Sequence, residues 1–424
     1  MNNNRIKLLV FSTLLLIINE TLQAQQAAQP QPEEPKWGIK FSGFVKADFW
    51  YDTRLVRGSR EDLFLFYPLG ENLVNGTDAN KTGNTHASPA TSRLTGKLFA
   101  PDAFGAKTSG VIEADFSGST NAGLNEFRLR HAYVKLEWEK LDLIIGQYWH
   151  PMFVPEVFPD VVSLNTGAPF QPFIRNPLVQ LSYKITPELR VIGAAITQRD
   201  NATISAASGA PDPTPLRYGK IPNLHVQVQY NNGSIVAGLA ADYKRVRPRL
   251  LTTNSANINE QYLSTTAFMA YFKFASGDFT LRAKAIRGQN LTEHLLLGGY
   301  AVEAVDPVTL VETYTPYNHT FLWMNPTYGK KFAAGLFVGY AINHGTSANT
   351  NGTVYALYPD MKNIEKMYRI APNVSVTEGK FKACFELEHT AAYFGTPDMN
   401  DKNLVKNSKK VANNRALLTF FYFF

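Results

Sequence analysis

The sequence predicts an all-β fold, a closed antiparallel transmembrane β-barrel of about sixteen strands. Three observations point to it: long runs of strict period-two alternation, connections that alternate between tight turns and long polar stretches, and a chain that ends on an aromatic strand.

The chain of 424 residues opens with a segment that is not read as part of the fold. Arg5 and Lys7 form a positive n-region, Leu8 to Ile18 an apolar h-region, and Leu22-Gln23-Ala24 a small-residue cleavage site. This layout predicts a secretory signal peptide over 1–24, since the apolar run is shorter than the roughly 20 residues a spanning helix needs. No cysteine follows the cleavage site, so a lipid anchor is not indicated. Residues 25–37 are polar and Pro-rich and read as a flexible periplasmic tail, leaving 38–424 as the barrel.

The first strand sets Ile39, Phe41, Gly43, Val45, Ala47, Phe49 and Tyr51 on one face against Lys40, Ser42, Phe44, Lys46, Asp48, Trp50 and Asp52 on the other. That is long for a soluble strand. The pattern returns at 179–185, 223–230, 368–377 and 381–388. Turn chemistry marks tight connections at Glu139-Lys140, Pro187-Glu188, Asn231-Asn232-Gly233, Ser276-Gly277-Asp278, Tyr328-Gly329-Lys330 and Glu378-Gly379-Lys380. Between them lie polar stretches near 53–91, 117–126, 150–176, 199–221, 247–261, 288–318, 343–366 and 394–411. Short turns on one rim and long loops on the other are the asymmetry of membrane barrels. Counting the runs gives strands near 38–52, 92–100, 107–117, 126–138, 141–150, 175–186, 189–199, 222–231, 234–247, 262–275, 278–288, 318–328, 331–343, 367–378, 380–393 and 412–424. A slip of one hairpin would make the number 14 or 18.

Hydrocarbon leaves no partner for an unpaired backbone group, so the last strand must meet the first. Phe424, with Tyr422 and Phe420 at alternate places before it, has the form of a barrel-assembly signal. Composition excludes other classes. A net charge of +7 over this length is no nucleic-acid footprint, and the single cysteine permits neither an intrachain disulfide nor a cysteine zinc site. No stretch of 18 apolar residues predicts a helical span. The eight histidines are scattered singly, and no HExxH, GxSxG or P-loop motif occurs, so no catalytic residue, metal or cofactor is assigned.

Glu126–Trp138 (EFRLRHAYVKLEW) with Leu141–Trp149 (LDLIIGQYW) resembles the paired strands of Gram-negative porins. Asn165–Tyr183 (NTGAPFQPFIRNPLVQLSY) resembles the return from the third loop in DcaP-like porins, and Arg369–Tyr393 (RIAPNVSVTEGKFKACFELEHTAAY) resembles their penultimate hairpin. The resemblance implies a sixteen-stranded barrel assembled as a homotrimer in the outer membrane, with lipid, the barrel-assembly machinery and small polar solutes as partners. The helical N-terminal extension of some members has no counterpart in the short Pro-rich tail.

The resemblance also implies a third loop that narrows the lumen. Residues 150–176 fit, because Phe153, Val154, Val157, Phe158, Val161, Val162, Phe170 and Phe173 would be costly on an exposed loop. Its acids Glu156 and Asp160 would face a basic wall of Arg128, Arg130, Arg175, Arg282, Lys284 and Arg369, a transverse field that sorts solutes by charge. The expected function is passive diffusion of small polar, preferentially anionic solutes. An outer-membrane protease or lipase, or an adhesin-like barrel, is the alternative.

Overall fold

Period-two alternation puts opposite chemistries on the two faces of a strand, and here the apolar set faces outward. In the strand around residue 226, Leu224, Val226, Val228 and Tyr230 are 46, 51, 44 and 40% exposed, while Asn223, His225, Gln227 and Gln229 are at most 4% exposed. The same inversion holds in the first strand, where Phe41, Val45, Phe49 and Tyr51 are exposed and Lys46, Asp48, Trp50 and Asp52 are buried. Monomeric soluble proteins rarely expose apolar patches beyond a few hundred Å². A continuous apolar outer belt around a polar interior is the pattern of a membrane-spanning barrel.

The computed structural model describes residues 37–118 and 121–424, so the expected signal peptide and nearly all of the expected tail lie outside the described residues. Sixteen antiparallel strands close the barrel. They are β1 (Gly38–Asp52), β2 (Arg93–Phe99), β3 (Lys107–Asp115), β4 (Arg128–Glu137), β5 (Leu141–Trp149), β6 (Arg175–Lys184), β7 (Leu189–Ile196) and β8 (Asn223–Asn231), followed by β9 (Ile235–Val246), β10 (Leu263–Ser276), β11 (Phe279–Gln289), β12 (Glu312–Gly329), β13 (Phe332–Thr346), β14 (Ile364–Glu378), β15 (Phe381–Asp398) and β16 (Leu404–Phe423). Each pairs with its sequence neighbour, and β1 pairs with β16 from Phe44 opposite Phe423 to Asp52 opposite Arg415. Gly43 and Phe424 exchange both backbone hydrogen bonds, at 3.2 and 3.1 Å, which completes the ring.

The tight turns lie together on one rim. Gly233 and Gly379 take positive φ there, as hairpin turns require. On the other rim the structure differs from the sequence reading in two places. The polar stretch 394–411 is mostly strand: β15 and β16 continue as one hairpin to Asp398 opposite Leu404. Residues 53–91 are not simply an exposed loop, because Phe64–Pro68 is buried at every position.

Within the largely polar inner wall lies an apolar core, built from inward loops and a minority of wall residues. Phe64, Phe66 and Tyr67 of the first loop, Met152, Phe153, Val157 and Phe170 of the third, and Leu295, Leu296 and Leu297 of the sixth form one buried cluster with inward wall residues such as Phe321 and Phe337. The third loop is thus folded into the lumen, as the sequence predicts. Over the long-loop rim Tyr300–Val305 pairs both with the start of β12 and with Val354–Tyr355, tying the sixth and seventh loops together.

Candidate functional site

The wall opposite the third loop starts from a local irregularity. Register shifts between Glu113 and Ala114 where β3 meets β4, so one more residue of β4 occupies the same length. The bulge brings Arg128, Arg130 and His131 all into the buried side. Arg130 donates from Nε to Glu113 Oε1 and from Nη1 to Asp115 Oδ2, both at 2.8 Å. Arg128 reaches Asp115 at 3.2 Å and Ser117 Oγ at 2.9 Å. Arg93 of β2 stands 3.7 Å from Glu113. Arg175, at the start of β6, lies over the Trp149 ring at 4.7 Å and the Phe173 ring at 5.4 Å, and its Nε and Nη1 make no hydrogen bond among the described residues. Three guanidiniums thus share two carboxylates, and Arg175 has no ion pair among the described residues, a local excess of positive charge that the sequence spacing does not reveal.

Three of the six basic residues read from the sequence, Arg128, Arg130 and Arg175, converge here. The others do not. Lys284 is buried on β11 and donates to the carbonyls of Met152 and Phe153, at 3.0 and 2.8 Å, pinning the start of the third loop. Arg369 on β14 binds Thr390 Oγ1 at 2.8 Å, the Ala168 carbonyl of the third loop at 2.8 Å and the Leu65 carbonyl of the first loop at 3.1 Å, with Glu388 at 3.2 Å. Arg282 is half-buried, with only a long contact of 3.4 Å to Thr327 Oγ1.

The two loop acids also separate. Glu156 accepts from Arg190 Nη2 at 2.5 Å and from Gln229 Nε2 at 3.2 Å, beside a polar cavity of about 180 Å³ toward the short-turn side. Asp160 is exposed, held through its backbone by Asn325 Oδ1 at 2.8 Å. Just beyond Asp160 in the loop, Glu386 on β15 accepts the amides of Val162 and Ser163, at 2.8 and 3.2 Å, and Lys46 of β1 donates to the Val162 carbonyl at 3.1 Å. The third loop is therefore fastened to β1, β7, β8, β11, β12, β14 and β15. On the long-loop side a cavity of about 630 Å³ opens between Arg57, Glu71, Asp360 and Lys409. There Tyr67 donates to Asp360 at 2.9 Å, and burial together with that carboxylate raises its phenol well above the ordinary range, so it remains a donor.

Sequence reasoning missed Arg93, Arg190 and the seating of the loop by Lys46 and Glu386. Their inward parity was legible, but which strand faces which loop depends on barrel curvature. It also missed one set with metal-ligand geometry. His150, His225 and Asp242, from a loop and two strands, have ligand atoms within 4.8 Å of one another.

The fold is thus a sixteen-stranded antiparallel barrel with an inward third loop, and solved structures share it. Among solved structures the outer membrane channel DcaP of Acinetobacter baumannii superposes with a TM-score of 0.67 at 18% identity, covering 94% of this chain and 100% of that one. OmpT, an outer membrane protein of Vibrio cholerae also seen in a trimer form, gives 0.56 at 10% identity, covering 93% and 100%. An anion-selective porin from Comamonas acidovorans gives 0.54 at 11% identity, covering 92% and 100%. No protein-family model and no curated protein matches the chain.

Proposed function

We propose that the chain is an outer-membrane channel for passive diffusion of small polar solutes, favouring anions, and not an enzyme. The observation that carries this reading is the polar, charge-rich interior with its local excess of guanidinium over carboxylate around Arg128, Arg130 and Arg175, held inside a sixteen-stranded barrel. Likeness to an outer membrane channel and to a porin described as anion-selective supports it. Residues 1–24 direct export and are removed, 25–37 form a periplasmic tail, and 38–424 insert through the barrel-assembly machinery, with three copies associating in the lipid. Glu156 and Asp160 on the third loop and Arg128, Arg130, Arg175, Arg282, Lys284 and Arg369 on the wall shape the constriction. Some act directly on the solute, others by holding the loop. Planar-bilayer recording of the folded chain in a KCl gradient tests this. Stable open steps with a reversal potential on the chloride side are expected. A silent bilayer would overturn the channel, and cation preference would overturn the anionic substrate class.

A further inference from the structure

At the point where the third loop leaves the wall, imidazoles and carboxylates from four elements meet in a closed space. His150 caps the start of the short turn after β5, His225 lies on β8, Asp242 and Lys244 on β9, and Glu293 and His294 on the sixth loop, all of them buried. His225 Nδ1 is 3.2 Å from Asp242 Oδ1, and His150 Nε2 is 3.7 Å from the same oxygen. Zinc bonds to histidine nitrogen and carboxylate oxygen of about 2.0–2.1 Å place tetrahedral ligand atoms about 3.3 Å apart. Both spacings to Asp242 are near that length, and all three donor atoms lie within 4.8 Å of one another.

The surroundings fit the same reading. Asn223 donates to Asp242 Oδ2 at 2.8 Å, fixing the carboxylate so that Oδ1 points at the imidazoles. Outer partners of this kind orient metal ligands. The fourth corner has a candidate. The His294 ring lies 4.6 Å from that of His150, nearly perpendicular to it, and among the described residues neither of its nitrogens has a hydrogen-bond partner, Nε2 standing 3.7 Å from Glu293 Oε1, although the residue is fully buried. Glu293 Oε2 and both side-chain polar atoms of Asn290 are equally unpaired. Buried polar groups are normally satisfied, so this concentration of unpaired atoms marks a space with room for a ligand. Lys244 already neutralises the other Glu293 oxygen, so the space is not simply an acidic pocket.

We propose that His150, His225 and Asp242 bind a divalent transition-metal ion of the zinc class, with His294 completing the site. Three imidazoles and one carboxylate suit that class better than calcium or magnesium, which take oxygen ligands. The bound ion straps the third and sixth loops to β8 and β9. His150 Nε2 now faces Asn223 Oδ1 at 3.2 Å, and Nδ1 accepts from the Met152 amide at 3.2 Å. Coordination through Nε2 moves the ring proton to Nδ1, so loading gives up both contacts for the metal bond and resets the first turn of the third loop. The site is independent of what the lumen conducts.

The test uses untagged mature chain, folded in detergent, stripped with chelator and dialysed against zinc, with metal measured by plasma mass spectrometry. One zinc per folded chain is expected. His225→Ala and Asp242→Asn lower the affinity at least about tenfold, whereas His319→Ala, a buried histidine on β12 outside the cluster, leaves it unchanged. Heat-modifiable gel mobility reports which variants are folded. If they fail to fold, X-ray absorption at the zinc edge of the unmodified protein decides, with imidazole scattering at about 2.0 Å expected. No zinc above the detergent blank, full zinc content in folded His225→Ala, or an edge spectrum without imidazole would overturn the site.

Discussion

Arg369 shows what a single side chain contributes to this molecule. Its guanidinium reaches both inward loops and pairs with Glu388, all out of contact with water. Removing one partner of a buried pair typically costs about 3–5 kcal/mol, because the other charge stays buried alone. Arg369→Met should therefore lower the midpoint of the heat-induced gel shift and raise single-channel conductance as the first and third loops loosen, while Lys331→Met at an exposed turn should change neither. An unchanged midpoint would mean the loops are seated by apolar contacts alone. Two further arginines separate structure from selectivity. Arg130 lies between Glu113 and Asp115, so Arg130→Glu brings three carboxylates together and should abolish assembly. Arg282 is half-buried and nearly unpartnered, so Arg282→Glu should assemble and move the reversal potential toward cations. An Arg282→Glu protein with unaltered reversal potential would remove this residue from the field that solutes feel. The sequence made the parity of these residues legible, but parity is the same at every depth of a strand. It could not distinguish a loop tether such as Lys284 from a residue near the solute.

At the scale of elements, membrane strands were legible because lipid on one side and polar interior on the other impose alternation on every residue. Where a strand rises beyond the lipid, both faces meet water and the alternation ends. That is why 404–411 read as loop although Lys406 pairs opposite Thr396 and Lys410 opposite Tyr393. The first loop carried its own signal, the run Phe64-Leu65-Phe66-Tyr67, whose apolar content now has a place against Phe173 and Arg369. The sixth loop divides the same way: 290–302 is buried, and 303–309 is exposed, with Val308 87% accessible. Broad-specificity protease added to intact cells should cut within 303–309 and spare 63–67, as mass spectrometry of the released peptides would show. Early cleavage at 63–67 would contradict an inward first loop.

For the whole molecule, the ring is closed by a short seam in which the last residue takes part. Phe424 exchanges backbone hydrogen bonds with Gly43, and Phe420 packs edge-on against Phe49 and over Phe381. Deleting Phe424 removes that backbone pair from the hydrocarbon boundary, where no water replaces it. The truncated chain should give a several-fold lower yield of heat-modifiable protein than Phe424→Tyr, which keeps both the backbone and an aromatic ring. Equal yields would show that the seam closes without its last residue.

The outward turn of every second side chain has a consequence for the journey before folding. A protein-conducting pore in an inner membrane releases sideways those segments whose summed hydrophobicity over roughly 20 residues is favourable. Here each lipid-facing residue of β8 or β10 is followed by one destined for the interior, such as Gln227 or Lys273, so the average stays low even in chain that will end surrounded by lipid. The same sequence is therefore polar to a machine that reads it as a linear thread and apolar to a bilayer that meets it as a cylinder.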